Sequence, residues 1–166
     1  IGGFFNPKTM KYIHKNLKGQ HFKYDAVMCG LQYDHRLELV NRLKENGVRV
    51  FNALGVIYEQ YVKTYNEGKI ALVYPSKEDL PARFWEGLAM GRLVVTKRVP
   101  DLKEFDFVED RDYIGFDSVD EAVEKVKYYL ANWQMGEKIA KSGYMRVKPH
   151  TYEERVGRIM DVYARL

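Results

Sequence analysis

Four short apolar runs typical of buried strands recur through the middle of the chain, with segments of helical periodicity between them. The runs cover residues 26–29, 48–51, 70–74 and 93–96. The intervening segments repeat apolar residues at helical spacing and are expected to end at Asn46-Gly47 and at Gly68. Strands that alternate with helices form parallel sheets. We therefore predict an α/β fold, a Rossmann-like parallel sheet flanked by helices.

The last third of the chain predicts one more strand and then a helical tail. Residues 113–116 are typical of a short strand. Ser118 and Thr151 are each followed three positions later by glutamate, Glu121 and Glu154, the spacing of a capping box at a helix start. Another helix is expected between them, at residues 136–142, where Gly136 and Ser142 mark its ends.

The 166 residues suit one folded domain, predicted at 24–166, preceded by a basic helical linker or extension at 1–23. The linker contains no acid, and Asn6-Pro7 is typical of a helix start. Its lysines are Lys8, Lys11, Lys15, Lys18 and Lys23. A basic helix face attracts nucleic acid, anionic lipid or phosphate, or is merely solvated, and both interpretations stay open.

Several classes of protein are disfavoured by what the sequence contains. No apolar run approaches the roughly 18 residues of a membrane span, and we see no signal peptide. Cys29 is the single cysteine, which fits a reducing, cytoplasmic setting. Neither Gly-x-Gly-x-x-Gly nor a phosphate-binding P-loop occurs, which argues against a dehydrogenase or an NTPase. No histidine has a metal-ligand spacing, and the first strand lacks the acids of a phospho-receiver.

Two glutamates, Glu78 and Glu86, lie eight positions apart between the third and fourth predicted strands. Glu78 falls in the loop after the strand, and Glu86 falls inside the helix that follows. Ligands of open α/β sheets bind where strands end and helices begin. The two acids are therefore expected to bracket a ligand at one strand end.

Two arginines are candidates for binding a phosphate near these acids. Arg83 stands in the first turn of the predicted helix, where the helix dipole makes a cation unfavourable unless an anion binds there. Arg36 follows the first strand and could reach the same anion. The alternatives are a structural salt bridge for Arg83 and a surface pair with Glu38 or Asp34 for Arg36.

Six segments resemble the C-terminal half of a retaining GT-B glycosyltransferase of group 1, similar to the spore-maturation type. The Glu-x7-Glu spacing is that group's signature, and the resemblance covers about residues 24–166. The segments are Gly55-Val-Ile-Tyr58, Val73-Tyr-Pro-Ser-Lys-Glu78, Glu86-Gly-Leu-Ala-Met-Gly91-Arg-Leu-Val-Val-Thr96, Lys125-Val-Lys-Tyr-Tyr-Leu130, Ile139-Ala-Lys-Ser-Gly143 and His150-Thr-Tyr-Glu-Glu-Arg155.

The resemblance implies a nucleotide-diphosphate sugar as donor. Glu86 would hold the ribose hydroxyls, and Glu78, the implied catalytic residue, would favour positive charge at the anomeric carbon. The remaining implied donor-binding residues are Arg83, Arg36, Gly30, Gly55, Val56, Ser76 and Leu80. The competing interpretations are a helix-surface acid for Glu86, a loop acid beside Lys77 for Glu78, and a plain turn at Gly55.

The same resemblance implies that this chain is only the donor half of an enzyme. The acceptor would be bound by an N-terminal domain or a partner chain, and neither a metal nor another cofactor is expected. The alternative function is a non-catalytic binding module whose basic N-terminal helix docks on nucleic acid or an anionic membrane. Nucleic acid is the less favoured partner, and peripheral membrane contact stays open.

Overall fold

The computed structural model describes residues 5–7 and 22–166. The strands of this part are β1 (Tyr24–Cys29), β2 (Val50–Ala53), β3 (Gly68–Val73), β4 (Leu93–Lys97) and β5 (Ile114–Phe116). Its α-helices are α1 (Asp34–Glu45), α2 (Tyr58–Asn66), α3 (Ala82–Ala89), α4 (Val119–Ala131), α5 (Trp133–Val147) and α6 (Tyr152–Tyr163), and a 3-10 helix covers Pro100–Glu104.

All five strands run parallel, in the order β2-β1-β3-β4-β5, which confirms the predicted α/β fold. The chain leaves β1 for β2 on one side and then returns past β1 to β3 on the other. Strand order therefore reverses at β1, and the crevice between the carboxyl ends of β1 and β3 is the place where sheets of this kind bind ligands.

The two faces of the sheet bury separate apolar layers. Val27 and Cys29 of β1 point into a layer that includes Val62 and Tyr65 of α2 and Phe84 of α3. Alternate residues of the same strand point the other way, into a layer built with α1 and α4. Helices α2 and α3 therefore share one face of the sheet, and this places them side by side near the crevice.

The end of α1 explains why β2 begins two residues later than predicted. Gly47, with φ +79°, donates its N–H to the carbonyl of Lys44, and Val48 donates to Leu43. These two bonds form a Schellman motif, which closes a helix by satisfying its last carbonyls. Val48 is thus part of the helix cap, and the strand starts at Val50.

Three glycines at or next to predicted helix boundaries have other roles. Gly68 is the first residue of β3, where an added Cβ would lie 2.5 Å from Val27 Cγ2. Gly136 lies inside α5, in close contact with Leu93 of β4, and Gly143 lies inside the same helix against the backbone of Asp112. Helix α5 is therefore longer than the predicted 136–142, because its glycines serve close packing.

The predicted capping residues are confirmed. Ser118 Oγ accepts the N–H of Glu121, and Thr151 Oγ1 accepts the N–H of Glu154. The apolar residues of α6 are exposed, with Val156 and Ile159 at 57% and 59%. No helix within residues 22–166 combines the length and the apolar character that crossing a membrane requires.

The predicted N-terminal helix, with Lys8, Lys11, Lys15 and Lys18, lies outside the described residues. Just before it, Phe5 is buried in the core layer shared with α2 and α3, and it forms an isolated bridge with Thr151. Its carbonyl accepts the N–H of Tyr152 at 3.3 Å. Phe5 thus packs at the junction between α5 and α6.

Candidate functional site

Two guanidinium groups converge on Gly30, at the carboxyl end of β1. Gly30 has φ +126°, a conformation that favours glycine, and its N–H donates to the carbonyl of Ala53 at 2.9 Å. An added Cβ would lie 2.9 Å from Arg83 Nη1 and 3.6 Å from Arg36 Nη1. Glycine therefore suits the backbone turn, and a larger residue would displace the guanidinium of Arg83.

Arg36 lies in the first turn of α1, and only 3% of it is exposed. Its Nε donates to the carbonyl of Tyr74 at 2.6 Å, and its Nη1 donates to the carbonyl of Leu31 at 2.9 Å. Burial, together with the nearby charge of Arg83, lowers the pKa of Arg36. Arg36 thus joins the loop after β1 to the loop after β3, with no ion pair to another described residue.

Arg83 lies in the first turn of α3, as predicted. Pro81 is the N-cap and Ala82 the first helical residue. Pro81 has no side-chain acceptor for the amides of the first turn. Among the described residues Arg83 forms no ion pair, so the predicted structural salt bridge is absent there. A guanidinium and uncapped backbone amides are the groups with which helix N-termini bind anions.

The entry into α3 is fixed by Leu80, whose side chain is 4% exposed. The N–H of Leu80 donates to Asp101 Oδ2 at 3.2 Å. Asp101 belongs to the 3-10 helix after β4, so the neighbouring loop holds the start of α3 in place. Leu80 therefore lies beside the site as a buried support for the helix start.

Glu86 stands one helical turn beyond Arg83 and is half-buried. The hydroxyl of Tyr61, in α2, donates to Glu86 Oε2 at 2.5 Å. Burial raises the pKa of Glu86, whereas the bond from Tyr61 and the charge of Arg83 act in the opposite direction. The site thus places a carboxylate that accepts a hydrogen bond near the charge of Arg83.

Four other predicted site residues lie in loops at the same edge of the sheet. Glu78 and Ser76 are exposed between β3 and α3, and their side chains bond to no other described residue. Gly55, with φ +73°, and Val56 follow β2, and Val56 packs partly against the core. The structure thus brings Gly30, Arg36, Arg83 and Glu86 together. The four loop residues lie at the same edge of the sheet.

Tyr61 is the site residue that the sequence did not indicate. Its spacing with Val62 and Tyr65 predicts an apolar helix face, and no local motif links it to Glu86. The one available signal is the residue type, since a buried tyrosine usually finds a partner for its hydroxyl. His150 packs against Trp85, with ring centroids 4.9 Å apart.

We expect Glu86→Gln to stabilise the ligand-free protein by about 1 kcal/mol at neutral pH. Burial raises the pKa of Glu86 in the folded state, so ionisation costs stability as the pH rises through that value. Glutamine keeps an acceptor for Tyr61 without the charge. Urea denaturation at neutral pH and near pH 4 checks this. The gain should disappear in acid, and a less stable variant at neutral pH would contradict it.

The comparison with protein families decides what kind of domain this is. The model described as "Glycosyl transferase-like" matches residues 13–161, most of the chain. The chain belongs to the glycosyl transferase-like family. The comparison with curated proteins gives no match.

Solved structures of glycosyltransferases have the same fold as this glycosyl transferase-like chain. Sucrose-phosphate synthase from Thermosynechococcus elongatus is 14% identical, with a TM-score of 0.71 over 98% of this chain and 51% of that one. HepE from Anabaena, in complex with UDP, is 14% identical, with a TM-score of 0.61 over 99% and 48%. An α1,3-fucosyltransferase with GDP-fucose is 16% identical, with a TM-score of 0.59 over 80% and 45%.

These comparisons confirm the predicted resemblance to the C-terminal domain of a group 1 GT-B glycosyltransferase. The chain spans about half the length of these three structures. Membership of the glycosyl transferase-like family supports glycosyl transfer as the general activity. The roles of the individual site residues remain predictions.

Proposed function

We propose that this domain binds a nucleotide-diphosphate sugar and presents its glycosyl group for transfer to an acceptor. The observation that carries the proposal is the convergence of Arg83 and Arg36 on Gly30, beside the start of α3. These two cations lie at the carboxyl end of β1, where the strand order reverses and where open α/β sheets bind ligands. In transfer, the bond between the sugar and the diphosphate breaks and a bond to an acceptor oxygen forms.

The diphosphate is the part of the donor that suits the two guanidinium groups beside Gly30. Arg83 has no carboxylate partner among the described residues, and its position at a helix start is unfavourable without an anion. The uncapped amides of α3 add donors that match phosphate oxygens. Arg36, whose Nε and Nη1 already bond to carbonyls, contributes positive charge and fixes the two loops. We infer that these groups bind the leaving diphosphate without a metal ion.

Glu86 is proposed to bind the ribose. A carboxylate accepts hydrogen bonds from both hydroxyls of a vicinal diol, and half-burial of Glu86 strengthens such bonds. Tyr61 occupies Oε2, which leaves Oε1 and further lone pairs available. Gly55 and Val56, in the loop after β2, are proposed to face the base.

Glu78 and Ser76 are proposed to contact the donor sugar. Both are exposed in the loop that precedes α3, at the carboxyl end of β3. Positive charge develops at the anomeric carbon as the diphosphate leaves, and the carboxylate of Glu78 stabilises such charge. Transfer with retention of configuration is part of this proposal.

The acceptor is proposed to bind elsewhere, on an N-terminal domain or a partner chain. The HepE and synthase structures are about twice as long as the part that this chain matches. The alternative, docking of the basic N-terminal segment on an anionic surface, involves lysines outside the described residues and remains a prediction.

Calorimetry against UDP-, GDP- and ADP-sugars, with free nucleotides for comparison, tests the donor site. We expect micromolar binding to one base class, unchanged by EDTA and weakened about tenfold or more by Glu86→Ala, because the diol loses its charged acceptor. Glu124→Ala is the matched control, since Glu124 is exposed on α4, across the sheet from α3. Absence of binding to every sugar nucleotide would refute the donor site. Full affinity in Glu86→Ala would refute only the ribose role.

A further inference from the structure

The hydrogen bond between Tyr61 and Glu86 joins two helices through residues 25 positions apart. Tyr61 lies in α2, and its ring meets that of Tyr65, with centroids 5.0 Å apart and planes at 71°. Tyr65 is fully buried, so it holds the ring of Tyr61 from beneath. Tyr61 itself is partly buried and packs against the same core layer, which restricts its ring.

This bond is suited to orient Glu86 as well as to keep it charged. A glutamate side chain on a helix has several rotamers, and a hydrogen bond to its carboxylate favours one of them. Glu86 faces Tyr61 and Tyr65 of α2, Arg83 of its own helix and Cys29 of β1. Of these, Tyr61 and Arg83 favour the ionised form. Burial also raises the pKa of Tyr61 strongly, so its hydroxyl stays a donor.

We propose that Tyr61 is a positioning residue that sets Glu86 for recognition of the ribose diol, and thereby makes the site discriminate ribonucleotides from their deoxy forms. This inference rests on the proposed function of Glu86. Tyr61 itself contacts no reacting atom. Its effect is to hold Oε2 so that the remaining lone pairs of the carboxylate point away from α2.

The test compares Tyr61→Phe with Tyr65→Phe, because both substitutions remove one hydroxyl and keep the ring. The hydroxyl of Tyr65 lies next to Cys29, whereas Glu86 accepts its hydrogen bond from Tyr61, so Tyr65→Phe makes a matched control. Calorimetry gives the dissociation constants of UDP, GDP and ADP and of their 2′,3′-dideoxy forms. The ratio of the two constants measures ribose selectivity independently of overall affinity.

We expect wild type and Tyr65→Phe to share a large ratio, Tyr61→Phe to reduce it about tenfold, and Glu86→Ala to bring it close to one. An unchanged ratio in Tyr61→Phe would overturn the inference and leave the proposed function intact. Wild type that binds neither these diphosphates nor any of the sugar nucleotides would refute the proposed function, and the inference with it.

A measurement without ligand separates positioning from plain packing. The carboxyl carbon of Glu86, followed by NMR in ¹³C-labelled protein, reports its ionisation. Loss of the Tyr61 hydroxyl should raise the pKa of Glu86, whereas Tyr65→Phe should leave it near the wild-type value. Equal pKa values in wild type and Tyr61→Phe would overturn the inference.

Discussion

Arg83→Ala is expected to weaken binding of a nucleoside diphosphate about 100-fold, or about 3 kcal/mol. The substitution removes a guanidinium that lies beside Gly30 and Arg36 and forms no ion pair with the described residues. Charge-assisted bonds to phosphate are among the strongest that a side chain makes. Titration calorimetry at two salt concentrations checks the loss, and the variant should also show a weaker salt dependence.

Two further arginine variants sharpen this experiment. Arg83→Lys keeps the charge but loses the planar fork, so an intermediate loss is expected. Arg42→Ala removes an exposed arginine from the last turn of α1, at the opposite edge of the sheet, and should bind normally. Wild-type affinity in Arg83→Ala would place the diphosphate elsewhere.

Gly143→Ala is expected to lower the free energy of unfolding by about 3 kcal/mol. The added Cβ would overlap the carbonyl oxygen of Asp112 and lie 2.6 Å from Leu88 Cδ2. A backbone carbonyl cannot rotate away as a side chain can, so either α5 or the turn at Asp112 must move. Leu88 belongs to α3, the helix of Arg83 and Glu86, and nucleotide affinity should therefore fall together with stability.

Gly157→Ala provides the comparison for the stability measurement, which is urea denaturation followed by circular dichroism. Gly157 lies in α6, and an added Cβ there meets no atom within 4 Å. Alanine in an exposed helix should stabilise the protein by about 0.5–1 kcal/mol. A Gly143→Ala protein as stable as wild type would contradict the prediction, because it would mean that the structure accommodates the added Cβ with no loss of unfolding free energy.

Most of the sheet could be predicted because parallel strands are buried on both faces and are therefore continuously apolar. Glycines were the main source of error in the predicted boundaries. Gly47 ends a helix, but Gly68 and Gly136 stand where a side chain of a neighbouring strand crowds the position of a Cβ. The sequence does not distinguish these two roles of glycine. A helix end depends on the local φ, whereas close packing depends on a residue distant in sequence.

The candidate site shows the same division between local and distant signals. Arg83 and Glu86 follow from their places in one strand–loop–helix segment. The convergence on Gly30, the carbonyl bonds of Arg36 and the contact from Tyr61 depend on how α1, α2 and α3 lie across the sheet. These contacts join residues far apart in sequence, and no motif predicts them.

Alkylation of the buried thiol of Cys29 measures how often the structure around β1 opens. Cys29 is 2% exposed at the end of β1, and burial raises the pKa of its thiol to about 12. An alkylating reagent needs an accessible thiolate, so it reacts only when β1 is released from its neighbours. With no second cysteine in the sequence, the labelling rate measures how often the central strand opens. A molecule that closes the crevice beside Gly30 should lower the labelling rate of Cys29.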